Sequence, residues 1–267
     1  MENMRYKIKE IIKEENIKIE KKYGQNFLVN IKDIKKIVDL EKDKQILEIG
    51  PGLGSLTFFL EKNNKKTVAI EIDSNLYSYL SENKTKENTI IINEDILKIN
   101  LSKLLEKEFE DEVIVFSNLP YYITSKIIKT LIFQRKVSKM YLMMQKEVGV
   151  KIIKENKKTY LNFLIDLNFE KKVLFHIGKN SFFPVPNVDS ILLEFKRKEE
   201  EYEFEKMKKA ASLFVSKRKK INSFLSLNDE KREKINIKNI SLSSRVEELS
   251  SEDIYFLCDF IKGDKND

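Results

Sequence analysis

Seven short apolar runs, each four to six residues long, punctuate the first two thirds of this sequence: Gln45–Ile49, Thr67–Ile72, Thr89–Asn93, Val113–Phe116, Met140–Met144, Val173–His176 and Ser190–Phe195. Runs of that length read as strands buried on both faces. Between several of them lie Ser55–Glu61, Ser74–Asn83, Thr124–Phe133 and Lys146–Ile153, whose apolar residues recur at helical spacing, with Ser74 and Thr124 as N-cap types. Strands alternating with helices close into a mostly parallel sheet covered on both sides. The expected fold is therefore α/β, with one seven-stranded, Rossmann-like, doubly wound sheet.

The pattern changes near Lys196–Glu205, where charge becomes dense and alternating. Beyond it the sequence reads as short helices at Glu203–Val215, Lys219–Leu227, Arg245–Leu249 and Ser251–Ile261. We expect two domains, 1–198 with the sheet and 199–267 as a small all-α unit.

Composition excludes several classes. With 41% hydrophobic residues, 7 Gly and 4 Pro in 267 residues, the chain is neither disordered nor fibrous. No run of about 18 apolar residues and no apolar signal core is present, so the expected location is cytoplasmic. One cysteine, Cys258, and one histidine, His176, leave no disulfide and no zinc cage; Cys258 reads as core packing and His176 as a strand-end residue. The net charge of +7 rests mostly on lysine. It suits a polyanionic partner without requiring one.

Leu47-Glu48-Ile49-Gly50-Pro51-Gly52-Leu53-Gly54 joins the first run to a helical segment. Glycines there let a ligand approach the backbone at the carboxyl edge of the sheet, as in nucleotide, flavin and methyl-donor enzymes alike. Glu71, 21 residues after Gly50, ends the second run, where a carboxylate accepts both hydroxyls of a ribose; Asp95 follows the third, placed to accept a proton from an adenine amino group. A dinucleotide enzyme also wants the ribose acid, so these residues leave the choice open.

The fourth run ends in Asn118-Leu119-Pro120-Tyr121. That motif is similar to the one in adenine N6 methyltransferases. Upstream stands Gly24-Gln25-Asn26-Phe27-Leu28, and downstream Phe182-Phe183-Pro184-Val185-Pro186-Asn187-Val188-Asp189-Ser190. In this order and spacing, from about Ile11 to Leu257, the motifs resemble the ribosomal RNA adenine N6,N6-dimethyltransferases. Ser216-Lys217-Arg218-Lys219-Lys220 and Arg245-Val246-Glu247-Glu248-Leu249-Ser250 are closer to the small-subunit enzymes than to the large-subunit resistance enzymes. Ile221-Asn222-Ser223-Phe224-Leu225 and Leu161 depart from the family pattern.

The resemblance implies a class I methyltransferase sheet and S-adenosylmethionine as cofactor, held by Asn26, Leu28, Gly50, Glu71, Asp95 and Asn118. It implies Asn118 and the Leu119 carbonyl as acceptors for the target amine, Pro120 fixing the turn, and Tyr121 with Phe182 stacking on the extruded base. Phe183 is the alternative stacker. Lys217, Arg218, Lys219 and Lys220 would meet RNA phosphates. The implied substrate is two adjacent adenosines in the 3′-terminal hairpin of small-subunit rRNA, met as rRNA or as an immature subunit by a monomeric protein. Two alternatives stand beside it: a large-subunit resistance methyltransferase, and a non-catalytic RNA-binding assembly or transcription factor of the same fold.

Overall fold

The computed structural model describes residues 4–20, 24–119, 123–154, 158–216 and 219–262. They form two compact units, one of Met1–Ile153 with Lys171–Lys196, the other of Lys154–Glu170 with Arg197–Asp267. The expected cut at 198/199 falls close to the last crossing, but Lys154–Glu170, expected in the sheet domain, belongs to the second unit.

The first unit runs α1 (Met4–Glu14), β1 (Phe27–Leu28), α2 (Ile31–Val38), β2 (Gln45–Ile49), α3 (Thr57–Asn63), β3 (Lys66–Glu71), α4 (Ser74–Asn83), β4 (Thr89–Asn93), α5 (Leu101–Glu108), β5 (Val113–Asn118), α6 (Thr124–Ile132), β6 (Val137–Gln145) and α7 (Lys146–Ile153). After α8 (Tyr160–Asn168) in the second unit, β7 (Phe169–Ile177), β8 (Phe182–Phe183) and β9 (Ser190–Arg197) follow. Seven strands make one mixed sheet in the order β4-β3-β2-β5-β6-β9-β7. The pairs β2–β3, β3–β4, β2–β5 and β5–β6 are parallel, and β9 runs antiparallel to β6. All seven expected strand segments lie in this sheet.

Strand order reverses between β2 and β5, where Ile49 sits opposite Ser117. At such a point the loops leaving neighbouring strands diverge and open a crevice at the carboxyl edge. Ile34, Ile37 and Val38 of α2, with Leu60 of α3, are buried in the core beside Ile46 and Phe116. Each such side chain contributes roughly 1.5–3 kcal/mol by leaving water, which holds these helices on the sheet and fixes the crevice floor.

The second unit adds α9 (Phe204–Lys209), α10 (Ala211–Val215), α11 (Asp229–Ile237) and α12 (Ser251–Leu257) to α8. Its core packs Phe163 of α8 against Phe214 of α10 with ring centres 6.0 Å apart, and the Tyr160 hydroxyl donates to the Met207 carbonyl at 3.2 Å. Two expected helices are single 3₁₀ turns instead, Ile221–Phe224 and Val246–Glu248, because Lys220 pairs with Arg245 and Leu225 with Ile261 in isolated β-bridges. Helix starts also differ. Asp73, one residue before Ser74, caps α4 by accepting from the Asn75 and Leu76 amides, and Ile123 stands at the N-cap position of α6, before Thr124.

Candidate active site

The crevice is open to solvent. Asn26, Leu28, Gly50, Glu71, Asp95, Asn118 and Leu119 all line it. Parallel pairing explains the convergence: β2, β3, β4 and β5 end at one edge, so the residues following each strand meet there. Pro120 and Tyr121, expected to work beside Asn118, lie outside the described residues.

Gly50 (φ +67°) and Gly52 (φ +61°) adopt the left-handed conformation that side chains disfavour. At Gly50 no described atom stands within 4 Å of where a Cβ would be, so the backbone is bared to the crevice. At Gly52 the ring of Phe27 lies 3.0 Å from that position. β1 thus rests directly on the glycine loop. Pairing of β1 with β8, Phe27 opposite Phe183 and Leu28 opposite Phe182, ties it to the Pro-rich loop as well.

Asn118 is held by its amide nitrogen. Nδ2 donates to the Asn26 carbonyl at 2.9 Å, which assigns the other end of the amide, Oδ1, as the acceptor left over. The Leu119 N–H donates to the Met143 carbonyl at 2.9 Å. Asn26 turns its own amide to the Gly24 carbonyl at 3.0 Å. Asp95 accepts the Leu97 amide at 2.9 Å, closing the turn after β4.

Glu71 accepts the Gly52 amide through Oε2 and the Asp73 amide through Oε1, both at 3.0 Å. Burial raises its pKa, and those two donors oppose the rise. Gln25 donates to Asp73 Oδ2 at 2.9 Å. A continuous set of hydrogen bonds therefore links Gln25, Asp73, Glu71 and the glycine loop. Sequence reading passed over Gln25 and Asp73.

It also passed over Glu48. This residue lines the crevice at 2% exposure, and its Oε2 has no hydrogen-bond partner among the described residues. Desolvation pushes its pKa up to about 8, Thr57 opposes the rise, and the neighbouring Glu71 adds to it. The signal was present in the sequence: Glu48 is the one charged residue in the five-residue run Gln45–Ile49.

Phe182 is not where stacking requires it. Its ring is 0% exposed, in the core cluster with Leu28, Ile34, Phe116 and Leu192, and it does not line the crevice. Strand alternation explains this: Phe182 points into the sheet core and Phe183 to the opposite side, partly buried with Ile8 and Leu76, with Lys9 5.4 Å from its ring centre. Lys219 and Lys220 are exposed in the second unit, whereas Lys217 and Arg218 lie outside the described residues. His176 is exposed on β7, and Cys258 is buried with its thiol donating to the Ile254 carbonyl.

A family model described as ribosomal RNA adenine dimethylase matches residues 16–262. The chain belongs to this family. The ribosomal RNA small subunit methyltransferase A of Mycoplasma capricolum is 35% identical over 263 residues, covering 92% of this chain and 98% of the relative. The protein of the same name from Streptococcus sanguinis is 34% identical over 280 residues, covering 95% and 96%. Among solved structures, a dimethyladenosine transferase from Plasmodium falciparum superposes with a TM-score of 0.66 at 23% identity, over 86% of this chain and 95% of that one. The 23S rRNA methyltransferase ErmE gives 0.62 at 21%, over 87% and 98%. Both show the shared class I methyltransferase fold.

As a dimethylase of this family, the protein is an S-adenosylmethionine-dependent rRNA adenine dimethyltransferase. The crevice fits that cofactor on its own terms. Gly50 leaves room against the backbone, Glu71 and Asp95 offer carboxylates at successive strand ends, and Glu48 carries a buried oxygen without a partner among the described residues.

Proposed function

We propose that this chain dimethylates N6 of two adjacent adenosines in the 3′-terminal hairpin of small-subunit rRNA, acting in the cytoplasm as a monomer on the maturing subunit. The chemical half rests on the Asn118 amide, whose nitrogen is engaged by the Asn26 carbonyl, so that its oxygen is the end left to accept, without a donor among the described residues. The choice of subunit rests on relatives named ribosomal RNA small subunit methyltransferase A, which match this chain over most of its length.

S-adenosylmethionine supplies an electrophilic methyl on a sulfonium. The residues have a different task, because the exocyclic amine of adenine delocalises its lone pair into the ring and is a poor nucleophile. Acceptors that hold its protons favour a more tetrahedral nitrogen, so no strong base is required. Asn118 Oδ1 and the Leu119 carbonyl fill that role in this reading. Asn26, Leu28, Gly50, Glu71 and Asp95 hold the cofactor, so that the reacting atoms meet at about 3 to 3.5 Å. Tyr121 takes the stacking role, with Phe183 as the alternative partner, Phe182 being core. Lys217, Arg218, Lys219 and Lys220 bind phosphates and orient the RNA without reading its sequence.

Mapping dimethyladenosine in both rRNAs, from cells with and without the gene, tests the substrate. Loss of two adjacent modified adenosines at the small-subunit 3′ end is the expected result. A change confined to large-subunit rRNA overturns it. Single-turnover transfer by Asn118→Ala at saturating cofactor and RNA tests the acceptor; we expect a loss of about 10² to 10³, the scale for deleting one preorganised transition-state partner. Transfer at the wild-type rate refutes the mechanism.

A further inference from the structure

The protein carries a net charge of +7, yet Glu48, Glu71, Glu94 and Asp95 line the crevice, with no Lys, Arg or His among the described lining residues. Such a lining selects a cation. The four carboxyl groups are not equivalent. Glu71 accepts from two backbone amides, which oppose the rise that burial gives its pKa, whereas Glu48 Oε2 has no donor among the described residues. The groups facing Glu48 are the Glu71 carboxylate from β3, with Asp73 behind it, and the Thr57 hydroxyl from α3, which is itself without a described hydrogen-bond partner. None of these is a cation. In the free protein Glu48 therefore keeps its proton at neutral pH, the less expensive state for a buried acid beside another carboxylate.

We propose that Glu48 is the proton-coupled seat of the cofactor's positive charge: it releases its proton to solvent when S-adenosylmethionine binds, and faces the cationic centre as a carboxylate. The proposal rests on the reading of this crevice as the cofactor site and deepens it. The O–H bond of Glu48 breaks, the proton goes to buffer, and no other bond changes. Sulfonium and ammonium are both cationic centres of this ligand. Once the methyl is transferred the sulfonium becomes a neutral thioether, so the two sources separate by comparing cofactor with product.

Calorimetric titration of the wild-type protein with S-adenosylmethionine, in buffers of different ionisation enthalpy, reads the proton count directly. With Glu48 titrating at about 8, about 0.9 proton should be released per cofactor bound near pH 7. The dissociation constant should fall about tenfold per pH unit toward that value. Glu48→Gln should abolish both the release and the pH dependence. S-adenosylhomocysteine releasing the same proton assigns the ammonium, and releasing none assigns the sulfonium; either supports the proposal. Cofactor binding without proton exchange in the wild type overturns it while leaving the site reading intact. Release that persists in Glu48→Gln overturns it in favour of Glu71, and absence of cofactor binding overturns both readings. Because the wild-type titration alone can show that no proton is exchanged, the proposal can be overturned even if the variant does not fold.

Discussion

Glu48 also makes a stability prediction that needs no ligand. In the unfolded chain its carboxyl ionises near the ordinary 4.5; in the fold it holds its proton to about 8, chiefly because burial penalises the anion. Below about pH 4.5 both states are protonated and the burial is free of this penalty. Between the two values the unfolded state binds fewer protons than the folded state, so stability falls by about 1.4 kcal/mol per pH unit as pH rises. Above pH 8 the loss levels off at about 5 kcal/mol. Glu48→Gln keeps the shape of the side chain and removes the titration. Urea unfolding of both proteins across this range cancels the groups they share. The variant should gain about 3 kcal/mol relative to wild type between about pH 6 and pH 8, with no further gain above. Parallel stability profiles would refute the assignment of an uncharged, buried Glu48.

Phe182→Ala should cost about 3 to 5 kcal/mol of folding stability, because the ring is wholly core; a variant as stable as wild type with impaired RNA capture would return the residue to the stacking role. Glu71→Ala should weaken cofactor binding by about 1.5 to 3 kcal/mol in calorimetry, the range for hydrogen bonds to a charged group, and unchanged affinity would remove it from the site. Replacing Lys219 and Lys220 by Gln should lower the salt slope of RNA binding by about 0.7 to 0.9 for each phosphate no longer neutralised. Cofactor affinity should not change with them.

The sheet was legible because β2, β3, β4 and β5 are short, largely apolar runs, as parallel strands of a covered sheet are, and β7 showed only in its apolar stretch within Val173–His176. The crevice was legible for a related reason: once β2 to β5 are parallel, the residues after them must meet at one edge, so Gly50, Glu71, Asp95 and Asn118 could be grouped from the chain alone. α8 was not, because Asn162 to Ile165, Leu167 and Asn168 are all buried, and a helix enclosed on every side shows no amphipathic period. The turn at Ile221–Phe224 was misread as a longer helix because pairing between Lys220 and Arg245, residues far apart in sequence, decides its shape. Phe182 and Phe183 were interchangeable in the sequence; which of two adjacent rings enters the core depends on how β8 pairs with β1. Glu48 was visible as a charge within a strand, but that its Oε2 has no partner among the described residues is a property of three dimensions.

The path of the chain through its two units has a consequence for how the protein is made. Synthesis proceeds from the N-terminus, and folding domains generally complete in that order. Here the nascent sheet reaches β6 and must then wait, because the chain leaves through Lys154–Glu170 before β7 and β9 arrive. α8 emerges with Phe163, Leu164 and Leu167 uncovered, and the helices it packs with, α10 and α12 among them, are translated only after the sheet's last strand. Each unit is thus an unfinished intermediate while the other is being delivered. A tail fragment beginning at residue 199 would lack α8 and so the aromatic centre of its own core. The smallest piece of this gene able to encode a complete helical unit must reach back to Lys154, and in doing so it carries the edge of the sheet along.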